Sequence, residues 1–584
     1  MARTVINGMY WREDFSLLRE TKDGPAQLTN FWAEIIKEST YHDGDRTRTM
    51  LTMKGWQGDP EEPTEFPPVT IPATDFASMS WVNEKWGMRP IIYPVSNAER
   101  DVKTAIQIAS APETEHIYTH IGWDEIDGEP IYLTTTGGIG KNGLNPTIKV
   151  QLPQELQRFA MPTPVASKEA FANSIRLVNL GPKGPMWCLL LATYRAAVGS
   201  ADFAIHLAGR TGTFKSEISS LFQSHYGAGM DARHLPASWS STANALECLA
   251  YRAANALMTV DDFVPVGTSW AQRSLQAKAD QFIRGQGNQS GRSRLTDTSN
   301  MQTTYYPRGI VLSTGEDIPE GHSVRARMMI VELAPGDIDA AKLTAAQALR
   351  NTYAVAMADW IKWLAETGYG RTLKTMANDI RDRHIGTGHS RTPPIIGDLV
   401  ATLHLLCAYA VDRGFFTDEQ LVPIRNKAEE DIVAQGQRQA EYLTSADPIN
   451  SILETIRNLL NQQQAHVKTK SGGIPQDPTK YGWTVQQGQG ELPTYKSNGP
   501  RIGWIDADEN GFYLDPSSLP LLKKHSGGKI AVTEQTLMKR LKEAGKLTKT
   551  DTARQRNTVR MNVENHNHNC LCMALDEVMD DLDG

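Results

Sequence analysis

Long apolar runs are missing from this sequence, and so is any export signal. The opening residues, MARTVINGMYWREDF, hold no apolar stretch of the kind a secretion signal carries. The run LVATLHLLCAYAV from Leu399 falls short of the roughly eighteen residues that a membrane span needs. Cysteine is scarce: the five are scattered apart from Cys570 and Cys572, too few for the disulfide framework of a secreted domain. These absences point to a cytoplasmic protein with no membrane partner. Positive charge is not in excess either. The formal net charge is -7, so any binding to nucleic acid must come from local patches. What remains is an ordinary globular composition, 40% hydrophobic and 22% charged, which excludes the disordered and fibrous classes. At 584 residues the chain is too long for one core and implies roughly three or four domains.

The texture of the chain divides it. Residues 1–165 are strand-rich: β-prone runs such as RPIIYPV, HIYTHIGW and EPIYLTT alternate with the turn signals DGE and TGGIGKNG, and no catalytic motif is visible. From 166 to 336, helical patterns such as SKEAFANSIRLVNL and WAQRSLQAKADQFIRG interleave with the buried-strand runs FAIHL, NALMTV, GIVLST and MMIVEL. That alternation predicts a three-layer α/β core on a parallel sheet. Residues 337–467 are almost continuously helical in pattern, broken at RTPP and DPIN. Residues 468–500, rich in Gly, Pro, Gln and Ser, are expected to be a linker or a loosely ordered hairpin, and 501–584 to be a basic C-terminal domain. The fold class expected is multidomain α/β.

One stretch carries chemistry. GRTGTFKSE, from Gly209 to Glu217, nearly spells the phosphate-binding template G-x-x-x-x-G-K-[ST], with Phe214 where the last glycine belongs. A phosphate loop works because backbone amides at a helix N-terminus point at phosphates, a lysine neutralises the outer ones and a hydroxyl binds magnesium. Gly209, Arg210, Thr211, Gly212, Thr213 and Phe214 would form the cradle, Lys215 the cation and Ser216 the metal-binding hydroxyl. Glycine is required at 214 only if φ is positive there or a Cβ would strike the phosphate. ALMTVDD then ends an apolar strand in Asp261, placed for magnesium, and Asp262, placed to polarise an attacking water. Strand, loop, helix and a later acid-terminated strand, in that order, point to ATP and Mg2+ rather than to a chance glycine turn. The third strand ends in Ser313 and Thr314, where a polar side chain can sense the γ-phosphate; Arg325 and Arg327 in SVRAR are either a finger for a neighbouring subunit or surface salt-bridge residues.

Two segments suggest DNA. The loop RGQGNQSGRSRLTD offers Arg292 and Arg294 to a nucleic-acid backbone, unless it is a plain surface loop. From Lys523 to Arg560, eleven Lys or Arg stand against three acids. Within that patch GWIDADENGFYLDP resembles a hairpin, and VTEQTLMKRLKEAG a helix capped by Thr533 and ended by Gly545. Helix followed by basic β-wing is a winged-helix layout, with Lys539, Arg540 and Lys542 on the presenting helix, either for DNA or for a docked protein. His566, His568, Cys570 and Cys572 alternate in NHNHNCLC; four such positions on one strand are too spread out for one zinc tetrahedron, so a closing wing strand is expected instead.

HLAGRTGTFKSE, SWSSTANALECLAY, LMTVDDF, RGQGNQSGRSR and YYPRGIVLSTGEDIPEGHSVRAR together resemble the MCM-like AAA+ replicative helicases of bacterial and phage mobile genetic elements, a primase-associated family. The similarity is dense from Ala201 to Leu333 and looser through LTNFWAEI, ATDFASMSWVNEKWG and HIGWDEIDGEPIY. The resemblance implies an AAA+ core of the P-loop, ASCE type, a C-terminal winged helix, ATP and Mg2+, single-stranded and forked DNA, and a hexameric ring. It makes Lys215 and Ser216 the Walker A pair, Asp261 and Asp262 the Walker B pair, Thr314 the sensor and Arg325 or Arg327 the finger. The chain opens directly on the helicase-associated region, so primase activity is expected from a separate partner. A competing expectation is a DNA-bound loader, origin binder or defence sensor that switches state without unwinding.

Overall fold

The computed structural model describes residues 3–291, 304–383, 391–445, 447–486, 494–527, 530, 532–551, 554 and 556–579. Its N-terminal part is built of strands, as the alternating aromatic and β-branched runs require. A meander over 3–27 precedes a five-stranded sheet whose long antiparallel strands are Phe31–His42, Thr47–Asp59 and Glu62–Pro72, with Glu113–Tyr118 parallel to the first. Its core gathers Trp32, Met53, Trp81, Val102 and Ile106. A second meander, Gly122 to Asn145, packs elsewhere. Ile121, Tyr132, Ile139 and Phe159 belong to the same hydrophobic cluster as the central sheet, so by packing the central unit begins upstream of residue 166.

That central sheet has five parallel strands: β1 (Ala204–Gly209), β2 (Ala237–Ser238), β3 (Leu257–Phe263), β4 (Ile310–Gly315) and β5 (Met328–Leu333). Their spatial order is β2-β3-β4-β1-β5. Helices cover both faces, so β1 is buried up to its last residue and β4 throughout, and both are mostly apolar rather than alternating. α1 (Lys215–Gln223) follows β1, α2 (Ala243–Arg252) precedes β3, and α3 (Ser269–Asn288) follows it. Thr242 and Thr268 cap the latter two helices by accepting from backbone amides three residues on. Gln223 ties α1 to β3: its amide donates to Leu257 O at 2.9 Å and its oxygen accepts from Thr259 N at 2.8 Å.

Helices then dominate to Asn461. RTPP marks the first turn of Thr392–Asp412, where proline costs no hydrogen bond, and Asp447 caps Pro448–Asn461. Thr392–Asp412 is the one helix among the described residues long and apolar enough to cross a membrane, and 67% of its most apolar window is buried inside the protein.

The C-terminal unit carries a five-stranded sheet in which Arg501–Asp506 pairs antiparallel with Gly511–Leu514, and Val559–Val563 with His566–Ala574. The edge strand His466–Thr469 lies parallel to Arg501–Asp506. Helix Glu534–Glu543 is capped by Thr533 and presses Leu537 and Leu541 inward, and Gly545 takes a φ of +70° just beyond it. Ile452, Leu460, Tyr481 and Trp483 share this core with Phe512 and Leu571. The segment 468–500, whose composition suggests a linker, therefore supplies core residues, and the packing of this unit starts near 448 rather than 501.

Candidate active site

β1 runs its last residue, Gly209, into the loop that leads to α1. A Cβ at Gly209 would lie 2.6 Å from Leu333 O and 2.7 Å from Thr213 Oγ1, and Gly212 has a φ of +85°, so both glycines are demanded by the turn. Phe214 stands at the helix N-cap with φ +62° and ψ +22°. The template's glycine position is thus left-handed here as well, and phenylalanine occupies it against a strain of about 1–2 kcal/mol. Its ring is 41% exposed.

Lys215, Ser216, Asp261 and Thr314 meet at the C-terminal edge of the sheet. Lys215 Nζ donates to Gly209 O at 2.7 Å and Arg210 O at 2.9 Å, folded over its own loop. Burial lowers its pKa, while the charges of Glu316, Asp261 and Asp262 work in the opposite direction. Ser216 Oγ lies 3.0 Å from both carboxylate oxygens of Asp261. Thr314 Oγ1 donates to the same carboxylate and accepts from Asp262 N at 3.1 Å. The register between β3 and β4 shifts after Val260, and Asp262 adopts a φ of +69°, so the strand bulges and sends the two acids in different directions. Asp261 faces Ser216; Asp262 is exposed.

Ser313, expected beside Thr314 at the same edge, is buried instead. Trp239 Nε1 donates to its hydroxyl at 2.9 Å, and the hydroxyl is 2.9 Å from His206 Nδ1. His206 Nε2 donates to Asp317 O at 2.9 Å, which leaves Nδ1 to accept from Ser313. Burial pushes the His206 pKa down to about 4, consistent with that neutral tautomer. This chain of bonds clamps β4 to β1 and to the segment before α2, and so fixes the height of Thr314 at the edge.

Further contacts escaped the sequence reading. Thr211 Oγ1 donates to Glu316 just past β4. Glu217, next to Ser216, accepts from Gln347 Nε2 at 2.7 Å and lies 3.7 Å from Arg350 Nη2, while Arg350 also donates to Ser220 Oγ at 3.1 Å. The helical region thereby grips α1 directly. "STGED" and "QALRN" are the only traces of these contacts in the sequence, and neither has a template.

The arginines do not join the cluster. Arg325 donates to Pro319 O at 3.0 Å and Tyr442 O at 3.2 Å. Arg327 donates to Ser323 O at 2.7 Å and Asn288 Oδ1 at 2.9 Å. Arg292 and Arg294 lie outside the described residues. On helix Glu534–Glu543, Lys539 and Lys542 are exposed, but Arg540 is half-buried and close enough to His322 for its charge to help lower that residue's pKa, after burial. Cys570 and Cys572 are fully buried beside Trp504 and Tyr513, and burial pushes their thiols up to about 12 and 11. No metal cluster of three or more His, Cys, Asp or Glu occurs among the described residues.

The donor set fits a small hard cation and a polyphosphate: hydroxyl and carboxylate oxygens converge at a helix N-terminus beside a lysine. Ser216 and Asp261 are the residues able to hold magnesium, with Lys215 and the loop amides for phosphates.

The fold defines a multidomain α/β protein with a parallel central sheet. No protein-family model and no curated protein matches the chain. Among solved structures it is similar to one described as SCCmec type IV Cch, an active helicase, with 12% identity over 98% of this chain and 99% of that one, at a TM-score of 0.53. At that identity the likeness establishes a shared fold from end to end. A structure described as the A-form apo C-terminal region of NrS-1 covers 71% of the chain at 12% identity with a TM-score of 0.26, too low to bear on the fold.

Proposed function

We propose that the chain is an ATP-dependent DNA helicase or translocase: a Mg2+-requiring AAA+ ATPase of the P-loop, ASCE type, acting as a homo-oligomeric ring in replication of a phage or mobile element. The observation that carries this reading is the convergence of Lys215, Ser216, Asp261 and Thr314 at one edge of a parallel sheet, with β4 inserted between the loop strand and the acid strand. The description of the similar structure as an active helicase supports it.

Residue roles follow from the contacts. Lys215 exchanges the carbonyls of Gly209 and Arg210 for phosphate oxygens, and the partial burial that lowers its pKa strengthens that attraction. Ser216 and Asp261, already paired, hold magnesium, which neutralises the charge of the transferring phosphoryl group when bound. Exposed Asp262 accepts the proton of an attacking water. Thr314 touches both acids and so reports on the state of the site to β4. Arg325, bonded to Pro319 and Tyr442, or Arg327, bonded to Ser323 and Asn288, exchanges these contacts within its own chain to serve a neighbouring subunit's site. Helix Glu534–Glu543, read as the presenting helix of a winged helix, offers Lys539 and Lys542 to DNA.

Strand displacement on a forked duplex tests the proposal. Displacement that requires ATP and Mg2+ and vanishes in Lys215→Ala is the expected result. Hydrolysis without displacement would make the chain a loader or regulatory NTPase, and absence of both would end the proposal.

A further inference from the structure

We infer that a groove at the seam between the N-terminal sheet and the central domain holds a single-stranded polynucleotide, its phosphates on arginines and its bases on tyrosines. This deepens the translocase reading and rests on it. Two adjoining cavities of about 390 and 350 Å³ open at this seam. Tyr41, Arg48, Thr119 and Arg252 line both, and the larger adds Arg46 and Tyr305. Each comes from a place that the fold fixes. Tyr41 is the penultimate residue of the long strand Phe31–His42, Arg48 the second of its antiparallel partner and opposite Tyr41, and Arg252 the last of α2.

The lining is mainly basic. It holds one acid, Asp43, with Asp45 close by, and both are engaged. Asp43 accepts from the backbone amides of Asp45 and Arg46 at 3.0 and 2.8 Å. Asp45 accepts from Tyr251 OH at 2.6 Å and lies 3.7 Å from Arg308 Nη1. Arg308 stacks on the Tyr251 ring at 3.7 Å and donates to Asp43 O at 2.8 Å, so the turn after Tyr41 is clamped to the central domain. Tyr251 in turn meets Tyr305 edge to face at 5.1 Å and orients that ring. Arg48 has its guanidinium 5.8 Å from the Tyr41 ring centroid, and neither Arg48 nor Arg252 forms an ion pair among the described residues.

In a chain of net charge -7, a cleft with three arginines and tyrosine rings matches the two features a single strand presents, a charged backbone and unstacked bases. A duplex hides its base faces and has no use for the rings. A mononucleotide would need a closed pocket and a phosphate cradle; here the arginines are spread along an open cleft, which suits a backbone.

The test is binding of a labelled oligothymidylate of about 20 nucleotides to the full chain by fluorescence anisotropy, across a salt series. Each phosphate contact to a single strand contributes about 0.7 to the log–log salt slope, so Arg48→Ala/Arg252→Ala should lower it by roughly 1.4 and weaken binding roughly ten-fold at physiological salt. Arg48→Lys/Arg252→Lys should restore the slope, and Tyr41→Leu should weaken binding roughly five-fold or more with the slope unchanged. An oligouridylate arm separates DNA from RNA as the source of the strand. A wild-type protein that binds the strand, with an alanine pair that binds it equally well at the same slope, overturns the groove and leaves the translocase reading standing. A wild-type protein that binds no single strand overturns both. Tighter binding of a blunt duplex that loses the same slope overturns the single-strand assignment.

Discussion

Replacing Phe214 by glycine and, separately, by alanine isolates the backbone of the loop before α1 from its side chain. Both variants lose the exposed ring and its contacts equally. They differ in what a left-handed residue costs. Alanine at φ +62° keeps a strain of about 1–2 kcal/mol, which glycine does not have, while glycine loses about 0.5–1 kcal/mol more conformational entropy on ordering. The difference leaves the glycine variant ahead by up to about 1.5 kcal/mol at the start of α1. Global unfolding of so large a chain is not two-state, so the assay must be local. Ile218 N donates to Phe214 O at 2.8 Å, and its amide exchange in the native state reports the opening of that first turn. The glycine variant should show up to about ten-fold greater protection at Ile218 than the alanine variant, and nucleotide binding should survive in it. Weaker protection in glycine than in alanine would refute the left-handed assignment. A correctly folded glycine variant that no longer binds nucleotide would show that the ring itself shapes the site.

Other outcomes follow from the same geometry. Thr314→Val keeps the shape but removes the hydroxyl that holds Asp261 and Asp262, so hydrolysis should fall roughly a hundred-fold while nucleotide binding changes little in a filter assay. Burial holds the pKa values of His206 and His225 down to about 4 against an ordinary 6.5. Between those values the unfolded chain binds more protons than the native one, so stability is complete above pH 6.5 and falls as the pH drops towards 4, by roughly 3 kcal/mol for each histidine. Native-state amide exchange across β1 and α1, measured against pH, should show this loss, and His206→Gln should remove about half of it. Lys539→Ala/Lys542→Ala should lower the log–log salt slope of duplex binding by roughly 1.8.

The strands and helices of the central domain were legible because each is signalled locally. FAIHL, NALMTV, GIVLST and MMIVEL announce buried strands, and β1, β3, β4 and β5 fall on them. Lys215, Ser216, Asp261 and Thr314 were legible as a site because loop and acid motifs keep their order along the chain, and they meet in space. What stayed hidden depends on long-range pairing. Ser313 was expected at the open edge, but a bond to Trp239, 74 residues away, and one to His206, 107 away, draw it inward. Arg350 on Glu217 couples residues that no sequence window contains together. Residues 468–500 have the composition of a linker, yet two aromatics in them, Tyr481 and Trp483, find the C-terminal core. Composition averages over just the residues that decide packing. The left-handed φ at Phe214 was equally invisible, since phenylalanine is the last residue such a backbone would announce.

The account turns on whether this loop hydrolyses ATP in response to a DNA strand. Steady-state ATP hydrolysis by the purified full chain, with magnesium, should rise on adding single-stranded DNA and should disappear in Lys215→Ala with or without the strand. Hydrolysis that ignores the strand and persists in Lys215→Ala would contradict it.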